Sequence, residues 1–129
     1  MKKEIIIIDD DPIYSLVVSK MIHKLEPNTP IHFSTNGLDA IQKLENMSFF
    51  RNHILLLLDI NMEHQDGWYF LDSMQTKGYQ LIPNIHTFII TSSTDTSDIK
   101  KIEKYSWIKK YLHKPIYIKD VMEFLSVTE

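Results

Sequence analysis

Apolar residues in this chain follow two rhythms: short unbroken runs, and longer stretches with an apolar residue every three or four positions. An unbroken run bounded by polar residues reads as a strand covered on both faces, and the helical period marks an amphipathic helix. The run Ile5 to Ile8 ends on Asp9, Asp10 and Asp11, and Pro12 follows. Asp before Pro starts a helix, with Asp11 as N-cap and Pro12 where its missing N–H costs nothing. Ile13, Leu16, Val17, Met21 and Leu25 predict the apolar stripe of that helix, which Pro27 ends.

Pro30 to Ser34 alternates as a short strand, Asn36-Gly37 makes a turn, and Leu38, Ala40, Ile41 and Leu44 resume a helical stripe. The run Ile54 to Leu58 stops on Asp59. Asp66-Gly67 precedes a helix whose Trp68, Leu71 and Met74 are expected to face the sheet, and Gly78 closes it. Thr87 to Ile90 is a fourth strand ending in Thr91-Ser92-Ser93-Thr94, with Asp95 or Ser97 to cap a helix bearing Ile99 and Ile102. Tyr111-Leu112 lies in a fifth strand that ends at His113-Lys114-Pro115, and Ile118, Val121, Met122 and Leu125 form the last stripe. Strand and helix alternate with short connections, which predicts a three-layer α/β sandwich around a parallel sheet with right-handed crossovers.

Composition narrows the class. A length of 129 residues suits one domain with one core and leaves no room for an output module. Apolar residues at 43% and charged residues at 24% are globular values that exclude a disordered or fibrous chain. A net charge of -3 has no basic footprint, against nucleic-acid binding. The absence of cysteine excludes disulfides and thiolate metal sites and fits a reducing cytosol. The isoleucine run near the start is too short for a signal peptide or a membrane span.

In a parallel sheet the residues just past the strand C-termini meet along one edge. Here those are Asp9 and Asp10, Asp59, Thr91 and Lys114. Singly each has an ordinary explanation, because Asp caps helices, Thr ends strands and Lys-Pro is common surface; Asp11 is assigned to capping alone. Together, three carboxylates repel one another unless a cation holds them ionised. Oxygen ligands, with no Cys and no His pair at ligand spacing, point to Mg²⁺ or a similar hard cation. An ionised aspartate beside such a metal is a nucleophile towards a phosphoryl donor, and a hydroxyl and an ammonium suit the phosphoryl oxygens.

The motifs Ile-Ile-Asp9-Asp10-Asp-Pro, Leu-Leu-Asp59-Ile-Asn-Met, Ile-Ile-Thr91-Ser and Tyr-Leu-His-Lys114-Pro115 carry a resemblance. In order and over essentially the full length, the chain resembles the receiver domain of two-component response regulators. That resemblance implies a flavodoxin-like fold with a five-stranded sheet of order 2-1-3-4-5 flanked by five helices. It implies that Asp59 is the phospho-acceptor and that Asp10 binds Mg²⁺ (or Mn²⁺) directly, with Asp9 acting through water and the Asn61 backbone carbonyl completing the protein's ligands. Thr91 would contact the phosphoryl group and reorient, Lys114 would pair with it, and Tyr111 would switch between outward and buried rotamers. Ser92 is small as the pattern wants, Asn61 and Ser93 hold positions that tune phosphoryl lifetime, and Lys114-Pro115 would be cis. Glu63 departs from the pattern where proline is usual, and Trp107-Ile108 replaces Gly-Ala before the fifth strand.

The implied partners are a histidine kinase or histidine phosphotransfer protein as donor and a protein reading the face of the fourth helix, fifth strand and fifth helix. Tyr105, Trp107, Tyr111 and Tyr117 cluster in that part of the sequence, as do Lys100, Lys101, Lys104, Lys109 and Lys110. The expected protein is a stand-alone cytoplasmic phospho-acceptor, not a turnover enzyme, with no nucleic-acid or membrane partner and with homodimer formation left open. Two alternatives stand beside it. A haloacid-dehalogenase-like phosphatase wants a second Asp where Asn61 sits, and has a cap domain; a receiver-like scaffold would act without phosphorylation. His23, His32, His53, His64, His86 and His113 show no metal-ligand spacing and are expected to face solvent or be satisfied, with His64 and His113 near the site.

Overall fold

The computed structural model describes residues 2–62, 66–92 and 94–128. Glu63, His64 and Ser93, named above, lie outside the described residues. Strands β1 (Lys3–Ile8), β2 (Ile31–Ser34), β3 (His53–Asp59), β4 (Ile85–Thr91) and β5 (Lys110–His113) form one sheet of order β2-β1-β3-β4-β5. Every neighbouring pair is parallel. Helices α1 (Pro12–Leu25), α2 (Gly37–Glu45), α3 (Gly67–Lys77) and α4 (Thr96–Glu103) fill the four crossovers, and α5 (Ile118–Leu125) follows β5. This is the expected flavodoxin-like three-layer arrangement.

The unbroken apolar runs become strands because both sheet faces are covered. Ile6, Ile8, Leu56, Leu58 and Ile89 join one core with Ala40, Ile41, Leu44, Phe70, Leu71 and Met74, under α2, α3 and α4. Ile5, Ile7, Leu55, Leu57, Phe88 and Ile90 join the other with Val18, Ile22, Val121, Phe124 and Leu125, under α1 and α5. Phe88 and Phe124 meet edge to face at 4.8 Å, which pins α5 onto β4.

The helix ends follow their local chemistry. Asp11, Asn36, Asp66 and Asp95 cap α1, α2, α3 and α4, each accepting from backbone N–H groups of the first turn. Of the two candidates for α4, Asp95 is the cap. Gly78 closes α3 at φ 75°, a left-handed geometry that favours glycine.

Two stripes rotate away from the expectation. On α1 the buried residues are Ser15, Val18, Ser19 and Ile22, while Ile13, Leu16, Val17 and Leu25 are exposed. The helix carries two apolar faces, and the one with small serines allows the closer approach to the sheet. On α3 the core takes Phe70 with Leu71 and Met74, and Trp68 packs at its margin. Gly67 sets that rotation: a Cβ there would lie 2.7 Å from the Asp59 carbonyl and from Ile60 Cα, so only glycine lets α3 start this close to β3.

Candidate functional site

Parallel strands deliver their C-terminal residues to one edge, and the expected groups arrive there on separate elements. Asp9 follows β1, Asp59 ends β3, Thr91 ends β4 and Lys114 follows β5. Asp9, Asp59 and Thr91 are buried and Asp10 is exposed. Carboxylate oxygens of Asp9, Asp10 and Asp59 lie within 4.8 Å of one another, close enough to share one cation.

Lys114 is the local counter-charge. Its Nζ donates to Asp9 Oδ2 at 2.8 Å and to Asp59 Oδ2 at 3.2 Å. The backbone holds it in place, since Lys114 N donates to the Thr91 carbonyl at 2.7 Å and the Lys114–Pro115 bond is cis, as the motif implied. The ammonium also lies 4.4 Å from the centre of the Tyr14 ring, whose hydroxyl accepts from Ile116 N. Tyr14 escapes a sequence reading: one turn into α1, it looks like surface until β5 brings Lys114 over it.

Backbone donors fix the two buried carboxylates. Asp9 Oδ1 accepts from Asp11 N at 2.9 Å, and Asp59 Oδ1 accepts from Asn61 N at 3.0 Å. Asn61 also donates from Nδ2 to Thr91 Oγ1 at 3.2 Å. Burial pushes the Asp59 carboxyl up to about 6 and the Asp9 charge adds to that rise, while Asn61 N–H and Lys114 pull it down. Burial alone would lower the Lys114 ammonium; Asp9 and Asp59 outweigh it and hold it above its ordinary value.

One ammonium therefore serves two buried carboxylates with a third alongside. Such a donor set fits a hard divalent cation, which takes one or two carboxylates, a carbonyl and waters. No thiolate or imidazole belongs to the cluster. A carboxylate, a hydroxyl and an ammonium brought to one edge of the sheet are the residue types that accepting and neutralising a phosphoryl group calls for.

The structure also places the residues expected to read the site. Tyr111 lies on β5 opposite Ile89 and is partly buried; burial first, and then the Asp98 charge, push its phenol up. Tyr105 does not belong to an open face. It is buried, stacks on Trp68 at 6.1 Å, meets Trp107 edge-on at 6.0 Å and donates to Asp72 at 2.7 Å. Burial and that bond push its phenol up to about 12. Trp107 and Ile108 pack at the core margin, and Tyr117 is exposed. The five lysines from Lys100 to Lys110 are exposed, with Lys101 lying 4.2 Å over Trp68 and Lys110 paired to Glu123.

The histidines divide. His113 is exposed, with Nδ1 against the Lys114 carbonyl. His86 takes the second of the two expected outcomes: it is buried at the opposite pole of the sheet, and its Nε2 meets His53 Nδ1 at 2.9 Å.

A family model described as the response regulator receiver domain matches residues 5–126. Two curated relatives carry the name "Probable C4-dicarboxylate response regulator DctR", from Priestia megaterium and Halalkalibacterium halodurans. They are 26% and 29% identical over 111 residues, 86% of this chain. The chain spans only 45% and 44% of their lengths. Among solved structures, a two-component response regulator from Cytophaga hutchinsonii superposes with a TM-score of 0.82 at 24% identity, covering 97% of this chain and 96% of that one. A CheY-like receiver from Methanospirillum hungatei gives 0.77 at 18% identity, covering 99% and 94%. At such identities these two likenesses speak for the fold.

Proposed function

The chain belongs to the response regulator receiver family, and we propose that it takes a phosphoryl group from a histidine kinase or histidine phosphotransfer protein onto Asp59. In the transfer an Asp59 carboxylate oxygen attacks phosphorus, the bond to the donor imidazole nitrogen breaks, and the imidazole leaves with that electron pair. The observation that carries this reading is the single Lys114 ammonium between two buried carboxylates, with Asp10 close by. Among the described residues, the buried Asp9 and Asp59 share that one ammonium.

Asp10, Asp59 and the Asn61 carbonyl would hold Mg²⁺ (or Mn²⁺) directly, and Asp9 would hold it through water. Bound there, the ion neutralises charge building on the phosphoryl oxygens. Lys114 keeps Asp59 ionised for attack and then faces the new phosphoryl charge. Thr91 supplies a hydroxyl, and Tyr111 on the neighbouring strand carries the change towards α4, β5 and α5. A phosphoryl group alters output only by favouring one of two conformations, which a protein partner then reads. Ile13, Leu16 and Val17 lie exposed on α1, which starts at the acidic turn, and offer the donor an apolar surface beside the acceptor. The reading includes a cytoplasmic phospho-acceptor that turns over no substrate of its own. No helix among the described residues is long and apolar enough to cross a membrane.

Incubation with acetyl phosphate and Mg²⁺, read by intact mass, tests it. One phosphoryl group on the native protein and none on Asp59→Asn is the expected result; an unmodified native protein, or a modified Asp59→Asn, rejects the reading.

A further inference from the structure

The Lys114 ammonium is held by two acids and by one group that carries no charge. Its Nζ donates to Asp9 at 2.8 Å and to Asp59 at 3.2 Å, and it lies 4.4 Å from the centre of the Tyr14 ring. Tyr14 also holds the backbone that carries this lysine. Pro115 has no N–H, so the first backbone donor after Lys114 is Ile116 N, and it donates to the Tyr14 hydroxyl at 3.1 Å. The tyrosine is itself fixed by the acidic turn: Asp11 N donates to Asp9 Oδ1 at 2.9 Å, and Asp11 Oδ1 accepts from Tyr14 N at 3.2 Å. Asp9, Asp11, Tyr14 and Lys114 thus close a ring of contacts between the start of α1 and the end of β5.

We propose that Tyr14 is a positioning residue whose ring keeps the Lys114 ammonium at the acceptor when a divalent cation is bound. This rests on Asp59 being the acceptor. The carboxylates do not suffice for that task. A cation held by Asp10 and Asp59 takes up the same negative charge and repels the ammonium, and both effects weaken the hold of the acids on Lys114. The ring is the partner that such a cation does not consume: its face attracts an ammonium within roughly 6 Å of its centre, whatever the state of the acids. Lysine has a flexible stem and a strongly hydrated head, so a weakened hold lets it leave for solvent. With 15% of its side chain exposed, Lys114 has water within reach. An ammonium kept over Asp59 by the ring is already ordered when the phosphoryl group arrives, and binding of that group is spared the cost of ordering it.

Substitution separates the two contacts of Tyr14: Tyr14→Phe keeps the ring and loses the bond from Ile116, and Tyr14→Leu loses both. The test uses the full chain with isotope-labelled lysine and saturating Mg²⁺. NMR follows solvent exchange of the Lys114 ammonium protons, identified by their loss in Lys114→Met, and beryllofluoride affinity is measured on the same proteins. The native protein and Tyr14→Phe are expected to keep a protected ammonium signal and to bind the mimic alike. Tyr14→Leu is expected to lose the signal and to bind about 2- to 5-fold more weakly, the range of a cation–π contact partly open to solvent. Tyr14→Met takes its place if the leucine variant does not fold. An unprotected native ammonium, protection that survives in the leucine variant, or a phenylalanine variant as weak as the leucine one overturns the role of the ring and leaves the acceptor reading intact. A native protein that binds no beryllofluoride overturns both.

Discussion

The two ends of the same strands solve opposite electrostatic problems. Where β1, β3 and β4 begin, Lys3 Nζ donates to one carboxylate, Glu26, at 2.6 Å and to the Leu125 carbonyl at 3.0 Å. Beside these strand starts, burial first, then His53 and Lys109, lower the His86 imidazole from 6.5 to about 4, so His86 is uncharged at neutral pH where it meets His53. Charge is balanced there. Where β1, β3 and β5 end, one lysine faces Asp9 and Asp59 with Asp10 within reach. Half-buried lysines at both ends show the difference: one ammonium with one partner acid closes a structure, and one ammonium with two buried acids leaves a site open to a further cation.

The sharpest way to break this comparison is to remove each lysine in turn. Lys114→Met leaves two buried carboxylates without their counter-charge and is expected to cost about 3–5 kcal/mol in thermal unfolding at pH 7.5, with much of the loss recovered on adding Mg²⁺. A loss that Mg²⁺ does not touch contradicts the charge deficit.

Gly67→Ala acts on the acidic end alone. Its Cβ meets the Asp59 carbonyl and Ile60 Cα at 2.7 Å, so overpacking of about 1–3 kcal/mol is expected in chemical denaturation. The substitution moves the β3–α3 junction, so it should also weaken the Mg²⁺ response.

The pH profile compares the ends with opposite signs. His86 titrates at about 4 folded against 6.5 unfolded, so the unfolded chain binds the extra proton in that window and stability rises with pH. Asp59 titrates at about 6 folded against 3.8 unfolded, so the folded chain binds the extra proton and stability falls as pH rises through 6. The two limbs oppose each other in the native protein without metal. His86→Leu should expose the falling limb and Asp59→Asn the rising one, each on the order of 1–2 kcal/mol after allowance for nearby solvent. Denaturation midpoints at pH 4.5 and 7 in acetate and phosphate buffers (values chosen to fall inside and above both windows, roughly) check this.

The smallest effect belongs to Lys3→Met, about 1 kcal/mol for a partly exposed pair, and it should be the same with and without Mg²⁺. A Mg²⁺-dependent loss there would erase the distinction between the ends.

The acidic end was legible from the sequence because each of its groups follows an apolar run, and parallel strands send such groups to one edge without further information. The fold was legible for the same reason. Side-chain partners across the layers were not. Two apolar faces on α1 leave its rotation undecided until Ser15 and Ser19 are seen against the sheet. Trp68 and Phe70 exchange places because Gly67 seats α3 on the Asp59 backbone. The histidine pair needs β3 and β4 in register, with Leu55 opposite His86, before two residues 33 positions apart can meet. Tyr14 and Lys114 are 100 residues apart in the chain, roughly, and long-range contacts of that kind leave no periodic trace.

The most direct measurement of the central claim is where the phosphoryl group lands. After reaction with acetyl phosphate and Mg²⁺, borohydride reduces an aspartyl phosphate to homoserine, which peptide mass spectrometry can locate. Homoserine at position 59 alone is the predicted result; homoserine at Asp9 or Asp10, or none anywhere, contradicts it.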